Sequence, residues 1–420
     1  MDYRIFPPDE IPETTVTRLP LSKSIAARML VMNAMSRSAA APDIARIPDC
    51  EDTRVLAVAL SRTDGDIDVG ACGTAARFLT AYYAATPGTS VTIGGTARLN
   101  ARPVAPLVEA LRALGADIRY AAAEGCMPLI ITGRQLTGGR VVLDASASSQ
   151  FASALAMAGP LMAAPLIIDL GGEIASLPYL RMTLAMMRGR HVEADIEGYE
   201  VHVAATPYGA AVCEAEPDWS AAAFWYETAA LSAGWFTLPG LKEHSLQGDS
   251  ILAKIGDRIG VVTEFTDEGV ELSATPDLYS RLDLDAGDFP DLVPALAVTA
   301  AMAGIPFKFT RVGNLRHKEC DRLDALVTEL RKVGRVLEAG DDWIGWEGDN
   351  VPVTEMPVMD PHGDHRMAMA FAPMSVWIPG IVVRDAGCVA KSYPGFWDDL
   401  RDAGFRVEDV AAETESEPAE

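Results

Sequence analysis

The feature that most constrains this chain is a unit that returns about every 70 residues: an amphipathic helix, then a glycine or turn, then a short strand. Copies fall at residues 107–119, 252–263, 326–338 and 400–408, with a weaker one at 184–196. Anchored on Gly115, His191, Gly260, Gly334 and Gly404, the gaps are 76, 69, 74 and 70 residues. A first, more closely spaced copy ends at Gly65. This period is too long for a solenoid. It predicts about six mixed βα units, and 420 residues are too many for one core, so the units divide between two domains. The segment Glu214–Asp218 is one expected crossing between domains, and Thr17–Leu21 is the other if the N-terminal strand joins the second domain.

Charge narrows the partners. Against 35 Lys and Arg stand 59 Asp and Glu, a formal net charge of −24. Such a field opposes general binding to nucleic acid or to an anionic membrane. It also makes any local gathering of cations informative. The six cysteines are scattered without a Cys-x-x-Cys pair, which suits a reducing cytoplasm better than a disulfide framework or structural zinc. No basic stretch followed by an apolar run opens the chain, so no signal peptide is expected. Residues 151–168 are apolar and uncharged but interrupted by Gly159, Pro160 and Pro165, which predicts a buried helix, a turn and a buried strand. The acidic stretch 411–420 lacks large apolar residues and reads as a disordered tail.

Several segments gather the groups an anionic ligand needs. In 314–322, read as one helix, Asn314, Lys318 and Arg322 share a face, with Glu319 about a quarter turn away. Two stacked cations repel unless an anion lies between them, and Glu319 is a carboxylate available for proton transfer; a solvated charged face is the plain alternative. Ser22 or Ser24 can cap a helix carrying Lys23 and Arg28, which makes an anion site or an ordinary capped helix. Gly73 permits close backbone approach, Thr74 can cap, and Arg77 follows a turn later; Arg98 and Arg102 come soon after. Ser146, Ser148, Ser149 and Gln150 open the apolar run with neutral donors, and Ser176 with Tyr179 precedes another helix. Asp291 stands before a long apolar segment, as an N-cap or a general base. His362 and His365 have the spacing of a metal pair, but no further His or Cys cluster supports a metal.

Taken in this order, seven motifs from Lys23 to Lys391 resemble those of the 5-enolpyruvylshikimate-3-phosphate synthase family. The resemblance implies an α/β (mixed α+β) protein with a two-domain enolpyruvyl-transferase fold, an inverse α/β barrel of three βαβαββ repeats per domain. It implies a shikimate-phosphate-binding domain at 21–216 and a second domain at 1–20 and 217–410 carrying most contacts to the phosphoenolpyruvate carboxylate. The implied reaction is carboxyvinyl transfer from phosphoenolpyruvate to the 5-hydroxyl of shikimate 3-phosphate, by addition and elimination, without metal or organic cofactor, in a cytoplasmic monomer.

By the same resemblance, Ser148, Ser149 and Ser176 hold the shikimate phosphate and Gln150 lies against the ring and the second substrate. Ser24, Arg28, Tyr179, Asn314 and Lys318 hold its carboxylate pocket. Lys23, Arg102 and Lys391 face the phosphoenolpyruvate phosphate beside Gly73, and Arg322 and Arg366 grip its carboxylate. Lys23 touches both substrates. Asp291 is the implied base, Glu319 the acid that protonates the methylene carbon, and His365 an assistant. An acid working near neutral pH needs a raised pKa, which cations alone oppose and the substrates' own charge supplies. The chain departs from the family at Leu21 (usually Gly), Ala71 (usually Asn), Phe78 (often Pro) and Ala27 (commonly Asn), and Leu21 and Ala71 crowd or depolarise the phosphoenolpyruvate side. The related UDP-N-acetylglucosamine carboxyvinyltransferases share the repeat but match the Lys-Ser and Ser-Ser-Gln segments less well. A non-catalytic anion-binding scaffold would have no use for Asp291, Glu319 and Lys23 together.

Overall fold

The computed structural model describes residues 1–9, 15–36, 47–145, 148–172, 174–210 and 215–410. Ser146, Glu214 and the acidic stretch 411–420 lie outside them. The chain forms two compact units, Leu21–Ala215 and Met1–Pro20 together with the chain from Glu216 on.

Among the described residues, five four-stranded sheets repeat one pattern. In the sheet built from Asp64–Asp68, Ser90–Gly94, Leu129–Thr132 and Asp117–Tyr120, the first two strands are parallel and the rest antiparallel. A helix, Gly73–Ala84, makes the parallel crossover, as parallel neighbours require. The sheet of Gly139–Val142, Leu166–Asp169, Glu200–Val203 and Ala194–Glu197 repeats this. Both belong to the unit Leu21–Ala215, with the helices Lys23–Met35 and Glu51–Leu60. The other unit holds three sheets, led by the parallel pairs Leu282–Asp285 with Phe307–Thr310, Val358–Met359 with Ile381–Val383, and Thr15–Val16 with Trp235–Pro239. The strand Tyr3–Phe6 completes the second of these by pairing with Ile381–Val383 and Arg406–Asp409.

The most apolar helices are the most buried. Val293–Ala303 is apolar all round, Trp219–Ser232 is so apart from Ser220, Glu227, Thr228 and Ser232, and both are almost wholly buried, as a central helix must be. Strands such as Phe307–Thr310 alternate, with Phe307 and Phe309 inward and Lys308 and Thr310 outward. Every repeat anchor takes the left-handed backbone that ends a helix: φ is +96° at Gly115, +62° at His191, +84° at Gly260, +85° at Gly334 and +92° at Gly404. Gly65, at +81°, sits inside a strand rather than after a helix. Residues 151–168 are the helix Ser149–Ala158, a short 3₁₀ turn and the strand Leu166–Asp169.

Four local expectations are corrected. Residues 314–322 are not one helix: a 3₁₀ turn spans Gly313–His317, Lys318 is extended, and the α-helix starts at Arg322. Asp321 is the cause, since its side chain accepts the Asp324 amide and sets the helix start there. Thr74 does not cap; the cap lies two residues earlier, at Cys72, whose sulfur accepts the Ala75 amide, and the helix begins at Gly73. Ser22 holds the cap position of Lys23–Met35, but its hydroxyl makes no capping bond. Asp291 is not at a helix cap position; it lies in the 3₁₀ turn Pro290–Leu292, and its carboxylate meets side-chain partners.

Candidate active site

In the unit Leu21–Ala215, Arg28 is held by a hydroxyl and backbone carbonyls and Lys23 by an acid, Asp52. Arg28 is buried on the helix Lys23–Met35. It donates to Thr183 Oγ1 (2.7 Å), the Ser24 carbonyl (2.8 Å) and the Tyr179 carbonyl (3.2 Å), with its guanidinium over the rings of Phe78 (5.3 Å) and Tyr179 (6.0 Å). Burial draws it down to about 10, and Tyr179 works against that. Ser24, Arg28 and Tyr179 are therefore one cluster, and Phe78 is its floor. Lys23 pairs with Asp52 at 2.9 Å.

A second cluster surrounds Gly73. A Cβ there would lie 2.7 Å from Arg77 Nη1 and 2.8 Å from Arg102 Nη1, so only glycine lets both guanidinium groups close in. Arg77 donates to Gln150 Oε1 (3.0 Å), and Gln150 Nε2 donates to Thr74 Oγ1 (3.1 Å). Ser148 caps the helix Ser149–Ala158 by accepting the Gln150 amide, which sets Ser148, Ser149 and Gln150 at one helix end. Ser176 starts the helix Leu177–Arg188 with φ +56°. Leu21 packs on the unit's core, while Ala71 is exposed.

The other unit carries the acid–base groups. Asp291 faces Arg366 Nη2 (2.9 Å), Arg322 Nη1 (3.1 Å) and Lys318 Nζ (3.5 Å). Burial pushes its carboxyl up, but Arg366, Lys318 and Arg322 outweigh burial and hold it well below the usual carboxylate range; Glu319 opposes them. Glu319 lies between Lys391 Nζ (3.2 Å) and Arg322 Nη2 (3.4 Å). Lys318 and Arg322 thus meet on Asp291 although no single helix carries them. The Asn314 Oδ1 atom is buried with no hydrogen-bond partner among the described residues.

Arg322 is only 1% exposed and is gripped by Asp364, Nε to Oδ2 at 2.8 Å and Nη2 to Oδ1 at 3.3 Å. Asp364 also caps the helix His365–Phe371 by accepting the Arg366 amide (2.9 Å), and its Oδ1 lies 3.7 Å from His365 Nδ1. The buried Asp249 accepts from Ser220 Oγ. Burial first, then Asp291, pushes Asp249 up to about 7, while Ser220 and Arg366 pull it down and Asp218 adds to the rise.

Asp364, Asp249 and Asp52 are not among the sequence candidates for the site, and Arg77 appears there only as a cation one turn after Gly73. Spacing cannot find partners 31–75 residues apart, such as Arg322 with Asp291 or Arg366 with Asp291. One signal was present: a buried arginine demands an acid, and Asp364 carries an N-cap signature next to Arg366.

The chain resembles known proteins along nearly its whole length. The family model for EPSP synthase (3-phosphoshikimate 1-carboxyvinyltransferase) matches residues 59–400. A 3-phosphoshikimate 1-carboxyvinyltransferase of Bacteroides fragilis is 44% identical over 410 residues, 97% of this chain and 99% of the relative. The enzyme of the same name from Pseudomonas syringae pv. syringae is 33% identical over 438 residues, 94% and 99% of the two chains. In fold, an EPSP synthase from Acinetobacter baumannii superposes with a TM-score of 0.75 at 20% identity, covering 97% of this chain and all of that one.

Proposed function

The chain belongs to the EPSP synthase family, and from that premise we propose that it transfers the carboxyvinyl group of phosphoenolpyruvate to the 5-hydroxyl of shikimate 3-phosphate, releasing phosphate, in aromatic amino-acid biosynthesis. The observation that carries the residue-level reading is the pairing of an ionised Asp291 with a separate carboxylate, Glu319, inside one group of four cations. Asp291 takes the proton of the 5-hydroxyl as its oxygen bonds to C2 of phosphoenolpyruvate. Glu319 delivers a proton to C3, giving a tetrahedral adduct with a methyl group. In the elimination Glu319 removes a proton from that methyl, the C2–O bond to phosphate breaks, and the proton held by Asp291 leaves with the phosphate. Each group ends as it began.

The free cluster accounts for the timing. Lys391 and Arg322 both lie against the Glu319 carboxylate. A phosphate and a carboxylate from the substrate compete for those cations, so substrate binding itself favours protonation of Glu319. Arg322 and Arg366 supply planar forks for the phosphoenolpyruvate carboxylate, and Lys391 a point charge for its phosphate. Lys23, Gly73, Arg102 and Gln150 complete the phosphoenolpyruvate contacts. Ser24, Arg28, Ser148, Ser149, Gln150, Ser176 and Tyr179, with Lys23, Asp291, Asn314 and Lys318, bind shikimate 3-phosphate. The buried Asn314 Oδ1, without a hydrogen-bond partner among the described residues, supports that assignment, because an orphan acceptor is costly unless a ligand donor meets it. His365 assists through its contact with Asp364.

We propose further that the enzyme is a cytoplasmic monomer; the free cysteines Cys50, Cys72, Cys126, Cys320 and Cys388 suit a reducing compartment. No helix of the described residues is long and apolar enough to cross a membrane. The test is phosphate release with both substrates and with each alone, in chelator. Release that needs both supports the assignment. Release with phosphoenolpyruvate and a UDP-sugar acceptor instead would overturn it.

A further inference from the structure

Outside the acid–base cluster lies another buried carboxylate, Glu329. It sits seven residues beyond Arg322 on the helix Arg322–Lys332, hence on the same face two turns along, and is 1% exposed. Its Oε2 accepts the backbone amide of Asp360 (2.8 Å) and Lys332 Nζ (2.6 Å); its Oε1 lies 3.1 Å from His362 Nε2. Lys332 also donates to the Val358 carbonyl (3.0 Å). One helix face is therefore joined to residues 358–364 at two points, Glu329 at the far end and the Arg322–Asp364 pair at the near end.

The turn between those points is conformationally uphill. His362 and Gly363 both take left-handed backbone, with φ +54° and +72°. Glycine does so freely; histidine does not. Local bonds close the turn, with the His362 amide donating to Asp360 Oδ1 (2.7 Å) and the Asp364 amide to the Pro361 carbonyl (2.9 Å). Strained residues persist only where their surroundings over-determine them, and strain of this kind is worth roughly ten- to a hundredfold in an equilibrium. The next three residues are Asp364, His365 and Arg366.

We propose that Glu329 is a positioning residue for the phosphoenolpyruvate carboxylate forks: it pins the 360–363 turn to the helix and so keeps Asp364, and with it Arg322 and Arg366, aligned on Asp291. The proposal rests on the carboxyvinyl-transfer reading above. Glu329 touches neither substrate and moves no proton.

The test is Glu329→Ala assayed with both substrates. The KM for phosphoenolpyruvate should rise about tenfold or more, while the KM for shikimate 3-phosphate stays within about twofold. A role in stability alone would lower the yield of folded enzyme and leave both KM values in place. Adding His362→Gly to Glu329→Ala removes the strain and should restore most of the phosphoenolpyruvate KM; no recovery would overturn the positioning argument. Amide exchange over residues 358–371 supplies a readout that needs no catalysis. It should quicken at 364–366 in Glu329→Ala and slow again in the double variant. Unchanged exchange would overturn the proposal, whereas a wild type inert toward both substrates would overturn the carboxyvinyl-transfer reading and leave the exchange result to decide whether Glu329 pins the turn.

Discussion

Replacing Glu227 with methionine should stabilise the unit that contains it, and do so increasingly as pH rises. Glu227 lies on the central helix Trp219–Ser232, is 0% exposed, and neither carboxyl oxygen has a hydrogen-bond partner among the described residues. Burial pushes its carboxyl well above the ordinary 4.5, so the folded protein keeps it protonated where the unfolded chain does not. The folded state then binds the extra proton, and stability falls as pH rises from about 4.5 toward the folded value, by ~1.4 kcal/mol per pH unit. Methionine fills a similar volume without the polar atoms. Below the unfolded pKa the gain is the relief of an unsatisfied buried group, ~1–3 kcal/mol; above it the gain widens by the same slope. All seven tryptophans (219, 225, 235, 343, 346, 377 and 397) lie in this unit, so tryptophan fluorescence reads its unfolding alone. Urea titrations at pH 5, 6, 7 and 8 would give the difference at each pH. A difference near zero, or one independent of pH, would refute the reasoning and mean that Glu227 is satisfied in the folded protein.

Three other outcomes follow from single contacts. Asp364→Ala leaves the buried Arg322 without its closest acid but still facing Asp291 and Glu319, which should cost about 1.5–3 kcal/mol of stability by the same fluorescence assay and weaken phosphoenolpyruvate binding. Gly73→Ala places a methyl against two guanidinium groups at 2.7 and 2.8 Å, so the KM for phosphoenolpyruvate should rise severalfold with little change in thermal midpoint. For Asp249, raised in the folded state to about 7, the associated stability is present at low pH and lost as pH climbs from about 3.8 through 7; Asp249→Asn should flatten urea stability across that window, and an unchanged slope would remove Asp249 from the titration.

How much was legible in the sequence depended on the range of the interaction. The repeat was legible because its anchors are set by backbone chemistry: Gly115, Gly260, Gly334 and Gly404 mark left-handed helix ends, and even His191 takes one. Helices wholly apolar in sequence, such as Val293–Ala303, became central ones. Cap identity was less legible. Cys72 accepts in place of Thr74, and Ser22 occupies a cap without bonding, because tertiary contacts select among neighbouring hydroxyls and thiols. The segment 314–322 shows both sides. Its residues converge on Asp291, but through a 3₁₀ turn and an extended Lys318, since Asp321 competes for the helix start. Asp364, Asp52 and Glu329 act through partners distant in sequence or through turn strain, and residue spacing carries neither.

The most direct measurement of the proposed mechanism is the isotope content of the product formed in D2O. If Glu319 protonates C3 and a proton is then removed from the resulting methyl, the product's vinyl methylene must carry deuterium, and Glu319→Gln must lose both the label and turnover while shikimate 3-phosphate still binds. A methylene that keeps both original hydrogens, or a Glu319→Gln variant that labels and turns over like the wild type, would contradict the account.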